Sequence, residues 1–230
     1  MSDAALYRLM SWLSPTFPVG AYTHSGGLEW AIEEKLVTGC TTLVDWIDDV
    51  LSAGSGRSDA VLFVHAYRAS ENCDRQQLIY VAELAAALNP SRERRFETTA
   101  QAAAFRRIVL ATAPCDALDL VSKIPDDALC YPVIVAVLVQ GHGVTLSTAL
   151  TAYLHGLVSN LVSAAQRLMP FGQTDGQRAI AALEPAVRWL VDWSVAIPQG
   201  DPFDALGSST LMADFASLAH EIQYTRLFRT

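Results

Sequence analysis

The sequence predicts an all-α fold, a single-domain bundle of about ten helices spanning residues 1–230. Three observations carry that expectation. Apolar residues recur at three- and four-residue spacing along most of the chain. The one run rich in β-branched residues, 132–139, has no second such run to pair with, and a lone strand leaves its backbone hydrogen bonds unmade. Turn signals are frequent, yet no linker-like stretch and no internal repeat divides the chain.

The elements follow in order. Leu6, Leu9, Met10 and Leu13 fall at i, i+3, i+4 and i+7 and predict a helix from Asp3 with that stripe inward. Leu28, Ile32 and Leu36 predict a short second helix. Thr42 with Asp45 reads as a capping box for a third, with Leu43, Ile47, Val50 and Leu51 buried, ended by Gly54-Ser55-Gly56. Ser58 or Asp59 caps a fourth through Ala69. A fifth carries Leu78, Val81, Leu84 and Ala85, and Asn89-Pro90 stops it. The sixth, 91–111, offers a small buried face of Phe96, Ala100, Ala103 and Ala104. A short helix at 116–124 ends at Pro125, and 132–139 is a buried helix. The longest pattern, 145–169, predicts the central helix, with Leu146, Leu150, Tyr153, Leu157, Leu161 and Ala164 on one face and Pro170 as its stop. Residues 177–195 are helical, with Pro185 as a kink or restart, 198–209 are loop, and 211–222 form a last amphipathic helix with Leu211, Phe215, Leu218 and Ile222 inward.

Composition excludes several functions. With 230 residues, 51% apolar and 17% charged, the chain is neither disordered nor fibrous and buries a core without staples. Four cysteines, at 40, 73, 115 and 130, lack any C-x-x-C pair and read as reduced thiols packed in a core. Met1-Ser2-Asp3 lacks a basic leader and the longest apolar run, 131–139, is too short to span a bilayer, so the expectation is a cytoplasmic protein with no membrane role. Fourteen Arg stand beside only Lys35 and Lys123, and neither lysine follows a glycine, which excludes a phosphate-cradling P-loop. A formal charge of -8 argues against nucleic acid, and Arg92, Arg94, Arg95, Arg106 and Arg107, set among Glu93 and Glu97, read as a solvated helix face.

Histidines at 24, 65, 142, 155 and 220 include no pair spaced for one metal ion on a helix, and no glycine-rich dinucleotide fingerprint or nucleophile elbow is present, so no metal, cofactor or catalytic residue is expected. His65, on an apolar helix face, reads as a satisfied core histidine. His142, between Gly141 and Gly143, sits in a turn that could expose it.

Three segments are too specific to be filler. Ser14-Pro15-Thr16-Phe17-Pro18-Val19-Gly20-Ala21-Tyr22-Thr23-His24-Ser25-Gly26-Gly27-Leu28-Glu29 has stiff prolines, permissive glycines and three hydrogen-bonding side chains, Tyr22, His24 and Glu29, in one loop. Residues 168–178 form a helix stop and restart around Pro170 and Gly172. The ending, 220–230, places Tyr224, Leu227 and Phe228 at i, i+3 and i+4 beside Arg226 and Arg229, a composition that favours a binding anchor; the plainer reading is a tail packed on its own core. The competing classes are a helical protein-interaction module with a different partner and, behind it, an acid/base enzyme using Tyr22, His24 and Glu29, which lacks a nucleophile or cofactor signature.

Taken together, residues 14–29, 89–97, 159–178 and the Gln223-Tyr224-Thr225-Arg226-Leu227-Phe228-Arg229 ending resemble the urease accessory protein UreF family across the whole chain. Ala219 stands where the family often has an arginine. The resemblance implies an all-helical, dimeric, non-enzymatic maturation factor that binds a UreD/UreH-type accessory protein, recruits the GTPase UreG and helps deliver nickel to apo-urease. It implies contact with the UreD/UreH-type protein through a tail, 223–230, carrying Tyr224, Arg226, Leu227, Phe228 and Arg229. Pro18, Gly20, Tyr22, His24 and Glu29 would then bind or shape the GTPase side, with Glu29 as a contact residue or a structural one. The mean hydropathy of +0.24 agrees with surfaces that partners cover.

Overall fold

The computed structural model describes residues 2–207 and 209–230, and among them it forms ten α-helices and no strand. They are α1 (Asp3–Trp12), α2 (Leu28–Glu33), α3 (Cys40–Ser52), α4 (Ser55–Glu71), α5 (Arg75–Ala87), α6 (Arg92–Thr112), α7 (Tyr131–Gly141), α8 (Leu146–Leu168), α9 (Gln173–Val195) and α10 (Leu211–His220). Short 3-10 turns occupy Ala21–Thr23, Asp116–Val121 and Pro202–Ala205. The all-α expectation holds, including a helix rather than a strand at 132–139.

The core is built on α4 and α7. Pro132 to Val139 of α7 are all buried, as expected for a helix apolar on every side, and α7 packs on α4, α6 and the Asp116–Val121 turn. Helix α8 packs on α9 and α4, and α3 lies across α9. Gly56 in the first turn of α4 lets α4 meet α3, because a Cβ there would come within 3.0 Å of Val50 O.

Local signals shift several boundaries. Thr42 is not the N-cap, which is Gly39: it sits at the third position of α3, where its Oγ1 accepts the Thr38 and Gly39 N–H groups at 2.9 and 3.1 Å. Helix α4 begins at Ser55, so Ser58 and Asp59 lie inside it. Ser91 and Asp74 do cap α6 and α5, accepting from Arg94 and Gln77. Helix α9 starts at Gln173 rather than at 177, and Pro185 sits within it on the exposed side, where the carbonyl it leaves free can meet water.

Three faces are turned relative to the sequence expectation, that of α1 only in part, since Leu9 is buried and Leu13 packs on the core as expected. On α1, Ala5, Leu9 and Trp12 are buried, while Leu6 and Met10 are exposed. On α6 the buried side is Glu97, Thr98, Gln101, Ala102 and Phe105, and Phe96 is 43% exposed. On α10 the buried side is Ala216, Ser217 and His220, so Leu211, Phe215 and Leu218 face outward, as does Ile222 just beyond the helix. No helix among the described residues is long and apolar enough to cross a membrane.

Candidate partner-binding site

Two of the three marked segments meet in space. Gly27, at φ +85°, starts α2 against α10 so closely that a Cβ would lie 2.7 Å from Ser217 N. This contact brings Glu29, in the first turn of α2, under the chain's last eight residues. The Glu29 carboxylate accepts the Leu227 N–H at Oε1 (2.6 Å) and the Phe228 N–H at Oε2 (2.9 Å), and Oε2 lies 3.1 Å from His220 Nε2. His220 Nδ1 is 2.6 Å from Glu93 Oε2, and Glu93 Oε1 accepts from Arg226 (2.8 Å).

A second set of bonds runs alongside. Arg229 N–H donates to Thr23 O (2.9 Å), and Ser25 donates its N–H and its hydroxyl to Thr230 O (2.6 and 2.9 Å). The Thr230 hydroxyl lies 2.7 Å from His24 Nδ1 and 3.4 Å from Glu97, which is paired with Arg94. Burial holds the His24 imidazole below its ordinary value, against the pull of Glu97 and aided by Arg94 and Arg229. Arg167, at the end of α8, donates to Tyr22 O and lays its guanidinium over the Phe228 ring, so the third segment's helix bolts loop and tail together.

This clasp leaves an apolar surface outside it. Leu211, Phe215, Leu218, Ile222, Tyr224 and Leu227 are all exposed, Ile222 at 88% and Tyr224 fully. They follow one another along α10 and into the tail, with the Phe215 ring edge-on to Trp30 of α2 (5.5 Å).

Of the sequence-assigned residues, the structure joins His24, Glu29, Arg226, Phe228 and Arg229 within the clasp. It leaves Pro18, Tyr22, Tyr224 and Leu227 on the surface and sets Gly20, at φ +78°, at the start of the Ala21–Thr23 turn. The tail is not helical. Phe228 is buried and Thr230 is held on both sides, so the segment is already seated on its own core.

Sequence reading missed Glu93, Glu97, Arg167 and His220. Glu93 and Glu97 were expected on a solvated face with Arg94 and Arg106, yet Glu97 is buried and the two arginine side chains are only 15% and 17% exposed. His65 is buried with Nε2 unpartnered, not satisfied as expected. His142 is held by Arg8 and the Ala113 carbonyl against Trp12. The four cysteines are free thiols; Cys130 is buried and pushed up to about 11 by burial, whereas Cys73 is exposed rather than in the core.

Beneath the loop lies a cavity of about 300 Å³ whose walls include Trp46, Asp59, Arg94, Tyr131 and Tyr153. Asp59 accepts from the Tyr153 hydroxyl (2.8 Å), and burial lifts its carboxyl to about 6. In the clasp both Glu29 oxygens are engaged and His24 Nδ1 faces the Thr230 hydroxyl, while the Tyr22 side chain is exposed at the rim of the cavity.

A family model, UreF, matches residues 37–184. The urease accessory protein UreF of Bradyrhizobium diazoefficiens is 49% identical over 99% of this chain and 92% of its own length. Those of Rhodopseudomonas palustris strain BisB5 and of Bradyrhizobium sp. strain BTAi1 are each 50% identical, over 99% and 100% of this chain and 92% and 94% of theirs. With a family model over most of the chain and relatives at about half identity from end to end, the chain belongs to the UreF family of urease accessory proteins.

Proposed function

We propose that this chain is a non-enzymatic urease maturation factor that joins a UreD/UreH-type accessory protein to the UreG GTPase and so helps deliver nickel to apo-urease in the cytoplasm. The observation that carries the reading is the uncovered apolar face of α10 and the tail, held rigid by the clasp. An ordinary surface helix turns such a stripe inward; one left facing water marks a place where another protein sits. Tyr224, Leu227 and Ile222, with the α10 stripe, are the contact surface for the UreD/UreH-type protein, and Arg226, Phe228 and Arg229 fix its pose.

The loop through Pro18, Gly20 and Tyr22 presents the second surface, toward the GTPase. Loop and tail share Glu29, His24 and Arg167, so seating one partner on the tail steadies the surface offered to the other and modulates the GTPase through that coupling. The functional unit is a homodimer.

Deleting residues 223–230 tests the tail, and co-purification with the UreD/UreH-type protein is the readout. Binding is expected to disappear. Because the deletion also strips the clasp, Leu227→Asp is the companion variant: its side chain is 65% exposed, so it keeps the fold and loses the partner. Undiminished co-purification of both variants overturns the assignment.

A further inference from the structure

The clasp contains one ionisable side chain with no exposure at all, His220, and each of its ring nitrogens faces a carboxylate oxygen. An ionised carboxylate only accepts hydrogen bonds, whereas a neutral imidazole has one donor and one acceptor nitrogen. Both contacts, 3.1 Å to Glu29 and 2.6 Å to Glu93, are therefore hydrogen bonds only if both ring nitrogens carry protons or if one carboxyl is protonated. The other bonds favour the ionised form of both carboxylates, because donors at their remaining positions stabilise negative charge. Glu29 already accepts the Leu227 and Phe228 N–H groups, and Glu93 accepts from Arg226.

Charge counting agrees. Glu29 and Glu93 contribute two negative charges, and Arg226 and an imidazolium at His220 contribute two positive ones. Of the other charged groups nearby, Arg94 pairs with Glu97, Arg167 and Arg229 lie over the Phe228 and Phe96 rings, and Glu221 and Glu33 accept from the Arg92 N–H and from Gln223. Asp214 lies on another side of α10, half-buried by the cavity. Without its second proton, His220 would turn a lone pair onto a carboxylate and leave a buried negative charge unmatched, which interiors tolerate poorly.

We propose that His220 is a doubly protonated positioning residue that aims Glu29 and Glu93 at the tail and thereby sets the pose in which Tyr224 and Leu227 meet the UreD/UreH-type partner. The inference rests on the partner reading above. His220 is on the inward side of the helix whose outward side is the docking stripe, so one residue ties stripe and tail into a single rigid surface.

The test has two parts. In the wild-type chain carrying nitrogen-15 histidine, the His220 ring is expected to show two protonated nitrogens, each with a bound hydrogen; one bare nitrogen overturns the proposal. In the second part, His220→Gln, Glu93→Gln and the double variant are compared by hydrogen exchange at the Leu227 and Phe228 amides and by affinity for the UreD/UreH-type protein. His220→Gln is expected to lose about tenfold or more in both, and adding Glu93→Gln is expected to restore a substantial part by rebalancing charge. A residue that merely fills space shows no such rescue, so a double variant no better than His220→Gln overturns the proposal. Loss of amide protection with undiminished affinity contradicts the partner reading instead, and leaves the His220 contacts standing. If His220→Gln does not fold, the ring spectrum of the wild-type chain decides alone.

Discussion

Glu29 does more for the tail than any other side chain, since its two oxygens receive two backbone N–H groups and one imidazole. A glutamine there keeps the shape but offers one acceptor oxygen and an unwanted NH2, so Glu29→Gln is expected to cost about 2–4 kcal/mol. The denaturation midpoint reads that loss, and hydrogen exchange should localise it to residues 223–230. Asp59 acts in the opposite sense. Its carboxyl titrates near 6 in the folded chain and at 3.8 ordinarily, so between those values the folded chain holds a proton that the unfolded chain has released. Stability therefore falls as pH rises from about 4 to about 6 and stays reduced above that. Asp59→Asn is expected to raise stability at neutral pH by up to about 3 kcal/mol and to flatten that slope. Thermal melts of the two proteins across pH 4–8 measure both effects.

Helix α10 has a different inside and outside from those that its spacing suggests. Leu211, Phe215, Leu218 and Ile222 identify an amphipathic segment correctly, but periodicity records only that a stripe is covered by something, not that the cover is this chain. The same limit applies to α6, where Phe96 and the alanines formed the obvious stripe while Glu97, Thr98 and Gln101 went inside, because their neighbours are the cavity and the clasp rather than an apolar core. Helix existence was legible for α1 through α10; the pairing of residues 23–29 with 220–230 was not, since bonds between residues some 200 positions apart leave no local pattern. What the sequence did mark was that both segments were unusual. The α2–α10 contact is testable through Gly27: an alanine there meets Ser217 backbone at 2.7 Å and must adopt φ +85°. Gly27→Ala is expected to cost about 2 kcal/mol or more and to loosen α10 and the tail together, which hydrogen exchange would show as joint loss of protection.

Across the molecule, α4 and α7 form the middle of the core, and α2, α10 and the tail add Leu28, Ala31, Ala216 and Phe228 to it while turning an apolar stripe outward. That division separates folding from function in a way mutation can exploit. Leu211 and Ile222 are 81% and 88% exposed, so Leu211→Asp with Ile222→Asp should change stability by no more than about 0.5 kcal/mol each while removing the partner surface. The decisive measurement is urease activity and nickel content in cells that express the urease subunits and the other accessory proteins, supplied with this chain, with the Leu211→Asp/Ile222→Asp variant, or with neither. Active, nickel-loaded urease with the wild-type chain alone is the expected result. Urease that matures equally well with the folded variant, or with no chain at all, contradicts the role assigned to the α10 and tail surface.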